Sequence, residues 1–230
     1  MKHTLLLLLL TALTFTACKK DPEEVVALLS ETEAAEIVET ALSDRTAGME
    51  SPTADLAKLI ESSLSQCGVP GDTSLSKNKA GVVSYNYTYA LGWVVNCNAL
   101  NIPQNASTTL KGSGSFGTAR WDGNTQGSGS LVFTGLAPSE PNYIANGSYT
   151  AAGTLNGDFR QKDPSISCTT ELTLSNMSIN KTTRSTNGGT GTVKIVATAA
   201  NGSTQTLDGS LVFNSDGSIT VTVNGHSHTF

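Results

Sequence analysis

Charge is scarce in this chain. Of its 230 residues only 14% are charged, 38% are hydrophobic and 6% are aromatic. A disordered chain kept open by its own charge needs far more than that, so the composition excludes this class. Fourteen basic residues against nineteen acidic ones, with no basic cluster, exclude an electrostatic nucleic-acid binder. The 22 glycines show no three-residue period, which excludes a collagen-like triple helix. Histidine is missing between His3 and His226, so a nucleophile–base pair or a histidine-rich metal centre has little to build from. Ser, Thr, Asn and Gly stand where charge is absent. The length fits one domain with a short extra segment.

The first twenty residues read as an address. Met1-Lys2-His3 is a short basic start, and Leu5 to Phe15 is an apolar run broken only by Thr11 and Thr14. It falls short of the ~20 residues a spanning helix needs and fits the apolar region of a secretory signal. The run ends Thr16-Ala17-Cys18-Lys19-Lys20-Asp21, and here the chain resembles bacterial lipoproteins. Their signals end in a small residue before a cysteine, which is lipidated and becomes the new N-terminus. Ala17 and Cys18 match; Phe15 departs, because leucine is commonest three before the cysteine and the nearest here is Leu13. The resemblance covers the leader alone. It implies a signal peptide over 1–17, lipidation at Cys18, and a mature protein anchored to the bacterial outer membrane. Each buried CH₂ of the acyl chains contributes ~0.8 kcal/mol to that attachment. The stretch Lys19-Lys20-Asp21-Pro22-Glu23-Glu24 is similar to the charged stretches that send some such proteins to the outer surface; as plain chemistry it is a solvated tether. Periplasmic-facing and surface-facing placements both stay open.

Composition then divides the mature chain. Residues 18–66 hold eleven acids and four bases, whereas residues 67–230 hold eight and nine. The first region is a tether leading into an acidic helical segment. Ser30 and Glu33 form a capping box, and Ala34, Ile37, Val38, Ala41 and Leu42 come next on one helical face. Ser51-Pro52 predicts a second helix with Leu56, Leu59, Ile60 and Leu64 as its stripe and Gly68 beyond its end. Asp21-Pro22 before Glu23 to Leu29 allows a third, shorter helix. The stripes are expected to pack on the sheet formed by the rest of the chain.

From Gly81 the period becomes two. Tyr85, Tyr87, Tyr89, Leu91, Trp93, Val95 and Cys97 alternate along one strand, with a bulge or bend expected near Gly92. Further strand-like runs cover 108–121, 129–136, 143–155, 169–179, 192–199, 206–213 and 218–223. Asp122-Gly123, Asn156-Gly157, Asn201-Gly202, Asp216-Gly217 and Asn224-Gly225 read as the turns between them, and Asp208 before Gly209 likewise. The fold class expected for residues 67–230 is mainly β. It is an antiparallel meander forming a twisted sheet, a sandwich or an up-and-down barrel, with two or three helices ahead of it. Gly129-Ser130-Leu131-Val132-Phe133 recurs as Gly209-Ser210-Leu211-Val212-Phe213, a local echo without a chain-wide period.

Few residues bear chemistry. In an oxidising compartment the three remaining cysteines allow one disulfide in three pairings; Cys67 with Cys97, from a helix end to a strand end, is the pair expected. His226 and His228 share one face of a strand and lack further ligands for a metal. Asp122, Asp208 and Asp216 fit turn formation, and Glu171 fits a solvent-facing strand position. The six Asn-x-Ser/Thr sequons (at Asn86, Asn105, Asn146, Asn176, Asn180 and Asn201) fit chance in such a composition. No catalytic set, metal site or cofactor is expected. The tyrosines and Trp93 are expected to fill the core, with a stacking surface as the other reading. The expectation is therefore a lipid-anchored envelope protein with a non-catalytic binding or structural role. Its partner is the membrane through the anchor, with no nucleic acid and an unidentified protein or glycan. The alternative is a carrier holding an apolar ligand inside a β barrel.

Overall fold

The computed structural model describes residues 27–157 and 165–230. Helix α1 (Glu31–Leu42) opens on the capping box. Ser30 Oγ accepts from the Glu33 amide at 3.2 Å, while the Glu33 carboxylate accepts from the Ser30 amide at 2.8 Å. A 3-10 turn (Asp44–Thr46) and the left-handed Ala47 reverse the chain into helix α2 (Glu50–Ser62). That helix starts ahead of the expected Ser51-Pro52, at a Met49 N-cap that offers no side-chain bond. The reason is a tight crossing. The Gly48 and Met49 amides bond back to Ser43 and Ala41, and a Cβ on Gly48 would lie 2.6 Å from the Leu42 carbonyl carbon. Ala27 to Leu29 are not helical, and the rest of the possible third helix lies outside the described residues.

Ten strands follow among the described residues: β1 (Pro70–Lys79), β2 (Ser84–Cys97), β3 (Pro103–Gly117), β4 (Trp121–Thr134), β5 (Asn142–Gly157), β6 (Ser165–Asn180), β7 (Thr186–Ala199), β8 (Thr204–Phe213), β9 (Ile219–Val223) and β10 (His226–Thr229). Each pairs antiparallel with the next in a single meander. Among the described residues β1 pairs only with β2, and β10 only with β9, so the sheet is open and not a closed barrel. The helices take up that opening from the inner side. α1 packs on β6, β9 and β10, and α2 on β2 and β3. One hydrophobic cluster runs from Leu28 to Val223 through both helices and the inner face of the sheet. The acidic segment and the β region, distinct in composition, thus share one core. Polar ties hold the rim: Arg120 to Glu33 and Glu36 at 2.9 Å each, Lys77 to Asp55, and Arg184 to Glu61.

Several local expectations are corrected. β1 was not expected, because only Leu75 marks its inner face as apolar. The register of β2 runs unbroken past Gly92 and shifts at Asn96 instead. Asp122-Gly123 and Asp208-Gly209 lie inside β4 and β8, not in turns. Glycine is needed at 123 for space: a Cβ there would meet the Thr154 carbonyl at 2.6 Å and Leu155 at 2.9 Å. Asn201-Gly202, Asp216-Gly217 and Asn224-Gly225 do form turns, each with its glycine at positive φ.

Candidate functional site

The inner face of β2 to β5 pairs three of its tyrosine rings with a bare backbone. Tyr89 lies against Gly112, Tyr87 against Gly114, and Tyr149 against both Gly127 and Gly129. The absent Cβ atoms let the rings lie flat on the neighbouring strand and fill the trough under the helices. Tyr87, Tyr89, Tyr143 and Tyr149 are buried, whereas Tyr85 and Trp93 are half-buried at the margins. Three of these polar ends are answered: Tyr89 donates to the Ala47 carbonyl, Tyr87 pairs with Thr125, and Trp93 donates to Ser63 at 2.9 Å. Burial pushes all four tyrosine hydroxyls up, so they stay neutral. Beside these rings lies a hollow of about 30 Å³ between Ile37, Ala41, Tyr87, Phe116, Tyr149 and Cys168. That volume suits a water or two, against the 300–1,000 Å³ typical of a small-molecule site.

The fold now places the residues singled out from sequence. Cys18 lies outside the described residues. Cys67 and Cys97 are bridged, with their Cα atoms 5.5 Å apart. The bridge fixes the link between α2 and β1 against the far end of β2, where the Gly68 amide also donates to Val95 at 2.8 Å. Cys168 is a free, buried thiol on the inner face of β6, and burial pushes it up to about 11. His226 is exposed; His228 sits 3.7 Å from Glu39 and beside the Phe230 ring. Among the described residues no three His, Cys, Asp or Glu side chains gather as a metal would require. Glu171 is exposed opposite Lys194. Asp216 accepts from the amide and hydroxyl of Ser218, which hold its carboxyl below the ordinary range.

One titratable group escaped sequence reasoning. Glu50, in the first turn of α2, borders a polar hollow of about 340 Å³ with Asp44, Asp55, Lys77, Arg184 and Thr186. Its position at a helix N-terminus favours the charged form. Burial opposes that and wins, pushing the carboxyl up to about 7 despite a hydrogen bond with Thr186. Unfolded, the same carboxyl would lose its proton near ~4.3. Between those values the folded state holds the extra proton, so stability falls as pH rises from about 4.5 to 7 and then levels off. Over that window the loss is about 3 kcal/mol. Glu50→Gln should therefore unfold at higher urea than the parent at ~pH 8 and match it within ~0.5 kcal/mol at ~pH 4. Paired urea titrations at the two pH values check this; a parallel pH dependence in both proteins contradicts it.

Compared with protein-family models, with curated proteins and with solved structures, the chain matches none. What can be said of its class comes from its own geometry: an open, ten-stranded antiparallel meander whose inner face is filled by an N-terminal helix pair.

Proposed function

We propose that this protein is a lipid-anchored envelope protein of the bacterial outer membrane with a non-catalytic binding role. The observation that carries the proposal is the apolar run Leu5 to Phe15 closed by Ala17-Cys18. The body supports it. Among the described residues the first buried ones are Leu28 and Leu29, and nine residues of sequence separate Leu28 from Cys18. Nine residues can span at most ~30 Å, enough to clear lipid headgroups. The filled trough supports a binding surface over an internal carrier, because a hollow of about 30 Å³ accommodates no apolar ligand.

Cys18→Ser tests the anchor. Produced in a Gram-negative host, the parent is expected to enter the detergent phase on phase partitioning and to carry acyl mass on its N-terminal peptide. The variant is expected in the aqueous phase without that mass. Equal membrane retention of the two proteins overturns the proposal.

A further inference from the structure

The outer face of the sheet, opposite the helices, holds an uncharged array on β2 to β5. Asn86 stands beside Ser115, Ser115 beside Asn124, and Asn124 beside Thr154. The next row is Thr88, Ser113, Gln126 and Ala152. Hydrogen-bonding groups therefore repeat at the strand spacing of ~4.8 Å in a line crossing the strands. Along these rows open two adjoining hollows of about 530 and 490 Å³, and a third of about 490 Å³ continues them to Tyr85.

Two features bear on what this trough can hold. The first is hydrogen bonding. At the two ends of the sheet, neighbours on adjacent strands satisfy one another: Ser76 with Thr88, which ends the second row, at 3.3 Å, Thr222 with Ser227 at 2.8 Å, and Thr220 with Thr229 at 2.9 Å. The side chains of Asn86, Ser113, Ser115, Asn124, Gln126 and Thr154 make no hydrogen bond to any described residue. Their donors and acceptors face outward and are answered only by solvent. The second is charge. On β6 to β8 the same face carries Glu171, Lys194 and Asp208 as register neighbours. The two trough rows carry no charge; Lys79, Lys111 and Asp122 stand at the borders of the hollows.

An ionic polymer entering the trough would find charge only at its borders, on Lys79, Lys111 and Asp122, and an apolar partner would find in the two rows only the methyl groups of Thr88, Ala152 and Thr154. The complementary surface is an uncharged chain dense in hydroxyls. We propose that the outer face of β2 to β5 binds a neutral polysaccharide lying across the strands. Asn86, Ser113, Ser115, Asn124, Gln126 and Thr154 bond its hydroxyls. This deepens the reading of an envelope binding protein and rests on it for its role, though not for its chemistry. The backbone beneath is rigid, because its inner side is packed by the glycine–tyrosine pairs, so little order has to be gained on binding.

Affinity electrophoresis tests this with the purified full-length protein in gels containing dextran, soluble starch or laminarin, and in gels containing the acidic polysaccharide alginate. Slowed migration in at least one neutral gel is expected, and none specific to alginate. The exposed double variant Asn124→Ala, Gln126→Ala should lose affinity tenfold or more while keeping its near-ultraviolet circular dichroism. The single variant Thr154→Lys, which places a charge in the trough, should show the same loss. Glu171→Gln, outside the trough, should not. Unchanged migration in all three neutral gels overturns the proposal, as does retention by alginate alone or equal retention of the trough variants. Since the gel reads the protein body with or without an acyl chain, and phase partitioning reads the anchor, either reading can fail without the other.

Discussion

Gly127→Val is expected to cost about 4 kcal/mol of stability, at the upper end of overpacking effects. Gly127 is buried, and a Cβ on it would stand 2.0 Å from the Tyr149 hydroxyl oxygen and 2.6 Å from the ring carbon that bears it. The ring has nowhere to retreat. A Cβ on Gly129 would already lie 3.1 Å from its edge, and the adjoining hollow of about 30 Å³ is far smaller than a phenol. The chain must then separate β4 from β5 or lift α1 from the sheet. Urea unfolding monitored by tyrosine and tryptophan fluorescence measures the loss. A cycle with Tyr149→Phe isolates the cause. Removing the hydroxyl should recover at least ~1 kcal/mol of the penalty, because the nearest atom is gone. A penalty below ~1 kcal/mol, or one indifferent to Tyr149→Phe, would show that the ring does not rest on Gly127.

Opening the Cys67–Cys97 bridge comes next in size. The two cysteines are 30 residues apart, and releasing a loop of that length costs about 3–4 kcal/mol through the unfolded chain. Cys67→Ser with Cys97→Ser should lower the urea midpoint by roughly 1–2 M with little change in slope. Reductant should move the parent toward the variant and leave the variant alone. The buried Cys168 gives an internal clock. Its thiol, pushed up to about 11, should react with a thiol reagent only as fast as the protein opens, hence sooner in the bridge variant. A bridge variant as stable as the parent would show that this loop is not constrained in the fold.

Much of the architecture was legible because local signals agreed with the packed state. The Ser30–Glu33 box marked the start of α1, and the alternation from Tyr85 to Val95 marked the inner face of β2. The misreadings share a cause. Glycine after aspartate marks a turn only where the chain needs positive φ; at 123 and 209 it clears space under neighbours far along the sequence. β1 was invisible because the Trp93 ring of β2 lies over its Gly71 and its Lys77 reaches Ser51 and Asp55 of α2, leaving its own residues polar. Closure was not legible either, since it depends on whether β1 reaches β10. The echo around Leu131 and Leu211 occupies the same place on β4 and β8, with its leucines and phenylalanines inward and Val132 and Val212 half-exposed outward. Neither the trough nor the buried state of Glu50 is a property of any short segment. One needs four strands in register, and the other needs Thr186 brought across the core.

The strictly sequential pairing has a consequence for how the chain assembles. As the polypeptide grows, each new hairpin can zip onto the last, so every strand meets its template at the moment it appears. Helix α1 cannot. It precedes every strand, yet the surface that receives it includes β9 and β10, which follow all the others. Ile37, Val38 and Leu42 therefore stay uncovered through nearly all of synthesis. The window in which a chaperone would grip this helix closes only once β9 and β10 are in place.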